Sequence, residues 1–106
     1  MHMSEQMPNI ARIGDLCTGT CFHPSHVVPI SMTGTIQTGA STVTCEGSGV
    51  ARIGDQVLTD CGHIGLIVSS STTVFAEGAL VARVGDSVAG DFVATITAGA
   101  STGSAN

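Results

Sequence analysis

The sequence predicts an all-β domain made of three copies of one short unit arranged around an axis. Three observations carry that expectation: a composition poor in helix formers, 14 glycines in a short chain, and a five-residue phrase that occurs three times. Of the 106 residues, 42% are hydrophobic and only 10% charged, with no Trp, no Tyr and three Phe. Apolar volume therefore comes from Val, Ile, Leu, Met and Ala. Thr and the β-branched aliphatics fit a pleated surface, and Gly supplies the turns. Lys and Arg total three, and Glu and Gln are few, so the residues that favour helix are missing.

The length allows one small domain, whose core is modest enough to need an added staple. Residues 1–7 are expected to be a disordered N-terminal segment, 8–102 the domain, and 103–106 a tail. A net charge of −5 disfavours a nucleic-acid partner, because no basic stripe exists to displace counterions. No apolar run approaches the roughly 18 residues of a membrane span. The first residues are polar and lack the basic-then-apolar build of a signal peptide, which points to synthesis in a reducing cytoplasm. There a cysteine is more often a ligand or a core residue than half of a disulfide.

The first element in each unit is the repeated phrase. It reads ARIGD at 11–15 and 51–55, and ARVGD at 82–86. All three Arg of the chain lie in it, each three residues before an Asp: Arg12 and Asp15, Arg52 and Asp55, Arg83 and Asp86. A turn in which Asp accepts backbone N–H groups and Arg lies over a neighbouring strand is the expected role. An active site rarely needs three copies, so the triplication speaks for a pseudo-threefold body. The second element also recurs: TIQTGASTVTCEG from 35, LIVSSSTTVFAEG from 66 and a shortened TITAGAST from 95. Ile36, Val43, Ile67 and Val74 mark short strands there, and Gly39, Glu46-Gly47 and Glu77-Gly78 mark turns. A single unit of two or three such strands cannot bury its own apolar face, whereas three around an axis can.

The third element is a pair of candidate metal loops. Asp15 is followed six residues on by Cys21 and then His23; Asp55 is followed six residues on by Cys61 and then His63. The third unit has Phe92 and Ala94 at those places. Two Cys-x-His pairs on equivalent loops supply the four N and S donors that tetrahedral zinc takes. His26, three residues beyond His23, offers a second choice. The set is either Cys21, His23, Cys61 and His63, or His26 in place of Cys21. Cys45 stands where the second unit has Ala76 and reads as core. Cys17 is a candidate disulfide partner for Cys21. Asp60 is a candidate carboxylate behind a ligand histidine.

With the Ala-Arg-Ile/Val-Gly-Asp phrases and the Cys/His loops in hand, residues 8 to about 102 resemble the PAAR-repeat family, named for proline-alanine-alanine-arginine. Here the phrase is degenerate: the run Pro8 to Arg12 keeps a proline, and the later copies do not. The resemblance implies a pseudo-threefold cone of short β-hairpins with a metal site near its apex. It implies a structural zinc held by three His and one Cys, which at matching positions are His23, His26, Cys61 and His63, with Cys21 in reserve. The long first loop, Gly14 to His26, departs from shorter family versions.

The family caps and sharpens the trimeric β-helical spike of contractile injection machines, either phage tails or type VI secretion systems. The resemblance therefore implies one copy per spike trimer, a role with no catalysis, and transient contact with a target membrane during piercing. It also implies effector cargo and a final location at the tip of a phage tail spike or in a secretion apparatus. With no toxin domain in sight, the chain reads as a bare tip. Two other classes fit less well. A free-standing zinc-stapled adhesin needs no trimeric partner, and a small zinc hydrolase needs an open coordination position and a base such as Asp60.

Overall fold

A computed structural model describes residues 9–22, 28, 30–60, 62–90 and 92–100. Every regular element in it is a strand: β1 (Leu16–Cys21), β2 (Ile30–Ile36), β3 (Thr44–Cys45), β4 (Ser48–Gly49), β5 (Gln56–Thr59), β6 (Ile64–Ile67), β7 (Phe75–Ala76), β8 (Ala79–Leu80), β9 (Ser87–Ala89) and β10 (Phe92–Ile96). Six of them close into an antiparallel barrel in the order β1-β10-β9-β6-β5-β2. The barrel is three hairpins, β1–β2, β5–β6 and β9–β10, joined edge to edge by β2–β5, β6–β9 and β10–β1 pairing. Closure leaves no strand edge among these six unpaired. The all-β, pseudo-threefold expectation is met.

Each hairpin begins at a copy of the repeated phrase, and the phrase folds the same way three times. Asp15, Asp55 and Asp86 N–H groups donate back to the carbonyls of Arg12, Arg52 and Arg83 at 3.0 Å. The Gly between them has φ of 94°, 91° and 97°, a left-handed backbone that a side chain would resist. The carboxylate of each Asp accepts from the backbone N–H of its Arg at 2.7–2.8 Å, and from that residue's Nε and Nη2. Asp thus plays the expected part. The guanidinium of each Arg forks onto its own Asp, because the tight turn brings the two within reach, and it also reaches outward to Glu46, Glu77 or the Ser70 carbonyl.

The three phrases meet on the axis. Ala11 N–H donates to the Ala82 carbonyl at 3.0 Å, Ala51 N–H to Ala11 at 2.9 Å, and Ala82 N–H to Ala51 at 2.9 Å. This is a closed ring of three hydrogen bonds, and all three Ala are wholly buried. The three alanines belong to the one buried core cluster, so a larger side chain at any of them has no solvent to turn to.

Above the ring, strand alternation points Cys17, Val57 and Val88 inward with Ile36, Ile67 and Ile96. Burying an aliphatic of this size stabilises by about 1.5–3 kcal/mol. Further along the barrel the inward positions are mostly Gly or Ala, with Thr59 beside Gly34. A Cβ on Gly65 would stand 2.5 Å from the Phe92 ring, so this glycine is what lets Phe92 enter.

Outside the barrel, the hairpins β3–β4 and β7–β8 pack a second apolar plate of Ala40, Val50, Ala76 and Val81, with Ile10, Cys45 and Val74 against it. The first two units end alike: Ala40 N–H donates to the Val50 carbonyl and Ser71 N–H to Val81, both at 2.8 Å. In the third unit Ala100 N–H donates to Ile10, also at 2.8 Å. Residues from the beginning of the chain therefore complete the third unit. Among the described residues no helix is long and apolar enough to cross a membrane.

Candidate metal centre

Antiparallel strands put the repeated phrases at one end of the barrel and the hairpin loops, residues 22–29, 60–63 and 90–91, at the other. At that end Cys21 closes β1 and His63 stands just before β6. Of the sequence-predicted ligands, His63 is described; His23, His26 and Cys61 lie outside the described residues.

His63 is held firmly. Its backbone N–H donates to Thr59 Oγ1 at 3.0 Å, and its carbonyl accepts from Thr59 N at 2.9 Å and from Thr59 Oγ1 at 3.0 Å. Its ring Nδ1 lies 3.2 Å from Cys21 Sγ. Cys21 ends β1, fully buried, with Phe92 and Ile30 as its cross-strand neighbours. The first and second hairpins thus bring a sulfur and an imidazole nitrogen together across forty-two residues of chain. Phe92, in the third unit's place for Cys, is the largest wholly buried side chain among the described residues and stands opposite Cys21 in the β1–β10 register.

The Cys21–His63 separation can be compared with zinc geometry. With Zn–S of about 2.3 Å and Zn–N of about 2.0 Å, two ligands of one tetrahedral ion stand roughly 3.5 Å apart. The pair fits one edge of such a site, and soft sulfur with imidazole is the donor chemistry zinc takes. Among the described residues no group of three or more metal-capable side chains gathers. The held-back ligand of the sequence reading, Cys21, is therefore the one seen beside His63.

The other candidates resolve differently. Cys17 is a buried free thiol. It shares β1 with Cys21 four residues away, about 13 Å along a strand, and a disulfide tolerates at most about 7 Å between Cα atoms. The candidate disulfide is thus excluded by strand geometry. Burial, and then the nearby Asp15 charge, push the Cys17 thiol up to about 11, so it stays protonated and unreactive. Cys45 is a partly buried free thiol against the second plate, in keeping with a packing role. Asp60 turns to β2: its carboxylate accepts from Thr33 N–H at 3.3 Å, and its own N–H donates to the Thr33 carbonyl at 2.9 Å.

The opposite end carries polar joints that the sequence reading missed. Thr38 Oγ1 donates to Asp55 at 2.9 Å and Ser69 Oγ donates to Asp86 at 2.9 Å, each linking one unit to the next. Glu46 and Glu77 occupy the first turn position of the small hairpins with φ of 52° and 53°, a left-handed backbone that costs a non-Gly residue about 1 kcal/mol. Asn or Gly would suit that turn better. The Glu are explained by their carboxylates: Glu46 pairs with Arg12 Nη1 at 3.2 Å and Glu77 with Arg52 Nη1 at 3.5 Å. The signal available in the sequence was the shared Glu-Gly dipeptide.

No curated protein matches the chain at a significant level. The PAAR motif model, however, matches residues 28–93, more than half of the chain. That match spans the second phrase, most of the third hairpin and the strands that close the barrel between them. The triplicated phrase, the barrel of three hairpins and this match lead to one conclusion: the chain belongs to the PAAR motif family.

Proposed function

We propose that this protein is the non-enzymatic tip that caps and sharpens the trimeric β-helical spike of a contractile injection machine. The PAAR motif is known in spike-tip proteins of such systems, and its family is structural. The observation that carries the reading is the ring of Ala11, Ala51 and Ala82. One chain offers three nearly equivalent sectors at one end, and a threefold-symmetric spike offers three equivalent docking places. Matching symmetries normally join equal numbers of subunits; here one chain imitates a trimer, so the complex is one tip to three spike chains. The phrases at 35–39, 66–70 and 95–99 lie at that end and carry the contact.

The far end, with its three unequal loops, points away from the spike. There His63 and Cys61, with His23 and either His26 or Cys21, would hold a structural zinc. A bound zinc supplies a cross-link between loops distant in sequence, worth about 10–16 kcal/mol in small peptides. Marginal domains hold together by about 0.05–0.15 kcal/mol per residue, so such a clamp decides whether a puncturing tip survives load. The protein is made in the cytoplasm and acts at the tip of a phage tail spike or a type VI secretion apparatus. It meets the target membrane transiently, together with any effector cargo.

Light scattering of the protein mixed with its cognate trimeric spike tests the reading. The expected result is a one-to-three complex. A three-to-three complex, or no complex, overturns it. Elemental analysis of protein purified without added metal separately tests for one zinc per chain.

A further inference from the structure

We propose that Arg83, Thr72 and Thr73 form a carboxylate-binding notch on the rim of the base, and that its occupant is an acidic side chain of the partner on which the base sits. The choice of occupant rests on the spike-tip reading; the notch itself rests on the internal repeat. Its template is the equivalent notch one unit earlier, which holds a carboxylate of this chain. There Glu77 Oε2 accepts from Thr42 N–H at 2.6 Å, from Ser41 Oγ at 3.2 Å and from the Thr42 hydroxyl, while Oε1 faces Arg52 Nη1 at 3.5 Å. Two units contribute: Ser41 and Thr42 from the first, Arg52 and Glu77 from the second.

Moving one unit on, Ser41 becomes Thr72, Thr42 becomes Thr73 and Arg52 becomes Arg83, so each hydroxyl and the guanidinium are kept. The phrase register and the matched bonds of Ala40, Ser71 and Ala100 fix that correspondence. Arg83 is clamped on Asp86 as its siblings are on theirs, and its Nη2 also donates to the Ser70 carbonyl at 3.0 Å. Ser71 Oγ already accepts from Thr73 N–H at 3.1 Å. The donors left are Arg83 Nη1 and the hydroxyls of Thr72 and Thr73, and among the described residues none of the three meets an acceptor. Both threonines are exposed.

The repeat supplies no acid there. Counting six residues from Ala40 gives Glu46 and from Ser71 gives Glu77, but from Ala100 it gives Asn106. Counting four residues back from Val50 and Val81 gives the same two Glu, but from Ile10 it gives Gln6. Two of the three arginines thus have a carboxylate at the matching position of their own unit, and the third has amides at those positions, with Glu5 one residue before Gln6. Hydroxyl and guanidinium donors that bind a carboxylate in one copy will bind one in the next, and charge-assisted bonds of this kind are the strong ones. A pseudo-threefold tip on a true threefold partner has three ways to sit. A single notch that the described residues leave unfilled selects among them.

Two measurements test this. In nitrogen-resolved NMR of the whole chain, acetate titrated against sodium chloride of equal ionic strength should shift the Arg83 Nε–H and Thr73 amide signals saturably. Those of Arg12 and Arg52 should stay in place. Equal shifts at all three arginines, or none at Arg83, overturn the notch; the second outcome includes filling by the chain's own residues 1–8 or 101–106. With the trimeric spike, the double variant Thr72→Val/Thr73→Val, which leaves the Arg83–Asp86 clamp intact, should bind about tenfold more weakly, with an unchanged Tm. Equal binding by variant and wild type, with the acetate shift present, overturns the partner as occupant. Acetate shifts without any spike binding remove the tip reading and the partner together, and leave the notch.

Discussion

The two ends of this small barrel obey different rules. At the base, one five-residue phrase is used three times, and its turn, its Arg–Asp clamp and its place in the alanine ring repeat to within a few tenths of an ångström. At the far end the three connections differ in length and in residues. The connections span 22–29, 60–63 and 90–91; the first two units carry a Cys-x-His pair there, and the third has Phe92 and Ala94 at the same offsets. Local sequence identity gives symmetric backbone where contacts are between backbone atoms and small side chains. Where loops differ in length, each must find its own partners, and cross-linking by side chains replaces symmetry.

The largest effect is expected at the asymmetric end. If zinc clamps it, Cys61→Ser and His63→Ala should each lose the metal and lower Tm by at least about 15 °C, since a loss of a few kcal/mol shifts a domain this size by about 4–8 °C per kcal/mol. Cys45→Ala should keep the metal. Cys21→Ser and His26→Ala separate the two ligand sets. Zinc lost from the first and kept in the second fixes Cys21 as ligand, as its 3.2 Å approach to His63 favours; the reverse fixes His26. Elemental analysis of each purified variant reads the result.

The symmetric end should break next. Ala51→Leu forces a branched side chain into the wholly buried alanine ring, and overpacking of this kind costs about 1–3 kcal/mol. Ala82→Leu should cost a similar amount, because the ring makes the positions equivalent. Denaturant unfolding of the two variants checks both the size and the match. Two clearly different costs would show the threefold correspondence to be weaker in energy than in geometry.

What the sequence made legible follows the same division. The repeated phrase could be counted, so the all-β class, the turns and the pseudo-threefold body were readable from Ala11, Arg12, Gly14, Asp15 and their copies. The duplicated Cys-x-His pair was readable because it recurs at one offset from Asp15 and Asp55. The choice between Cys21 and His26 was not readable, since both stand within reach of the same pair by spacing alone. The joints between units were also hidden. Thr38 and Ser69 look like ordinary strand-end hydroxyls until the barrel closes and sets them against Asp55 and Asp86. Phe92 looked like a missing ligand, and only the Gly65 gap shows it to be a plug.

A smaller effect should come from Glu77. Hydrogen bonds from the Thr42 hydroxyl and then its N–H, with help from Ser41 and Arg52, hold its carboxyl below the ordinary value of 4.5. A carboxyl depressed in the folded state adds stability that is present above its unfolded value and is lost as pH falls through its folded one. Glu77→Gln should therefore lower Tm slightly at neutral pH, and the difference from wild type should shrink below pH 4.5. The side chain is exposed, so salt should reduce the difference as well. A difference that persists unchanged at pH 3 would assign the effect to turn conformation instead of charge.

The smallest effect concerns the seam between the third unit and the first. Two seams are latched by a hydroxyl: Thr38 donates to Asp55 and accepts from Gln56 N–H at 3.0 Å, and Ser69 donates to Asp86 and accepts from Ser87 N–H at 2.8 Å. The third seam has Ala98 at the corresponding place, which can do neither for Asp15 and Leu16. Thr97 Oγ1 instead donates to the Leu16 carbonyl at 3.2 Å. Ala98→Ser restores the latch with one added oxygen, half-buried in the same strand-end geometry as Ser69. A net intramolecular hydrogen bond is worth about 0.5–1.5 kcal/mol, so the variant should gain a few degrees in Tm. The matching deletions, Thr38→Ala and Ser69→Ala, should each lose a similar amount. If Ala98→Ser is neutral while both deletions are costly, the third seam differs from the others in backbone and not merely in the missing hydroxyl. The base would then be less symmetric in energy than its hydrogen-bond ring implies.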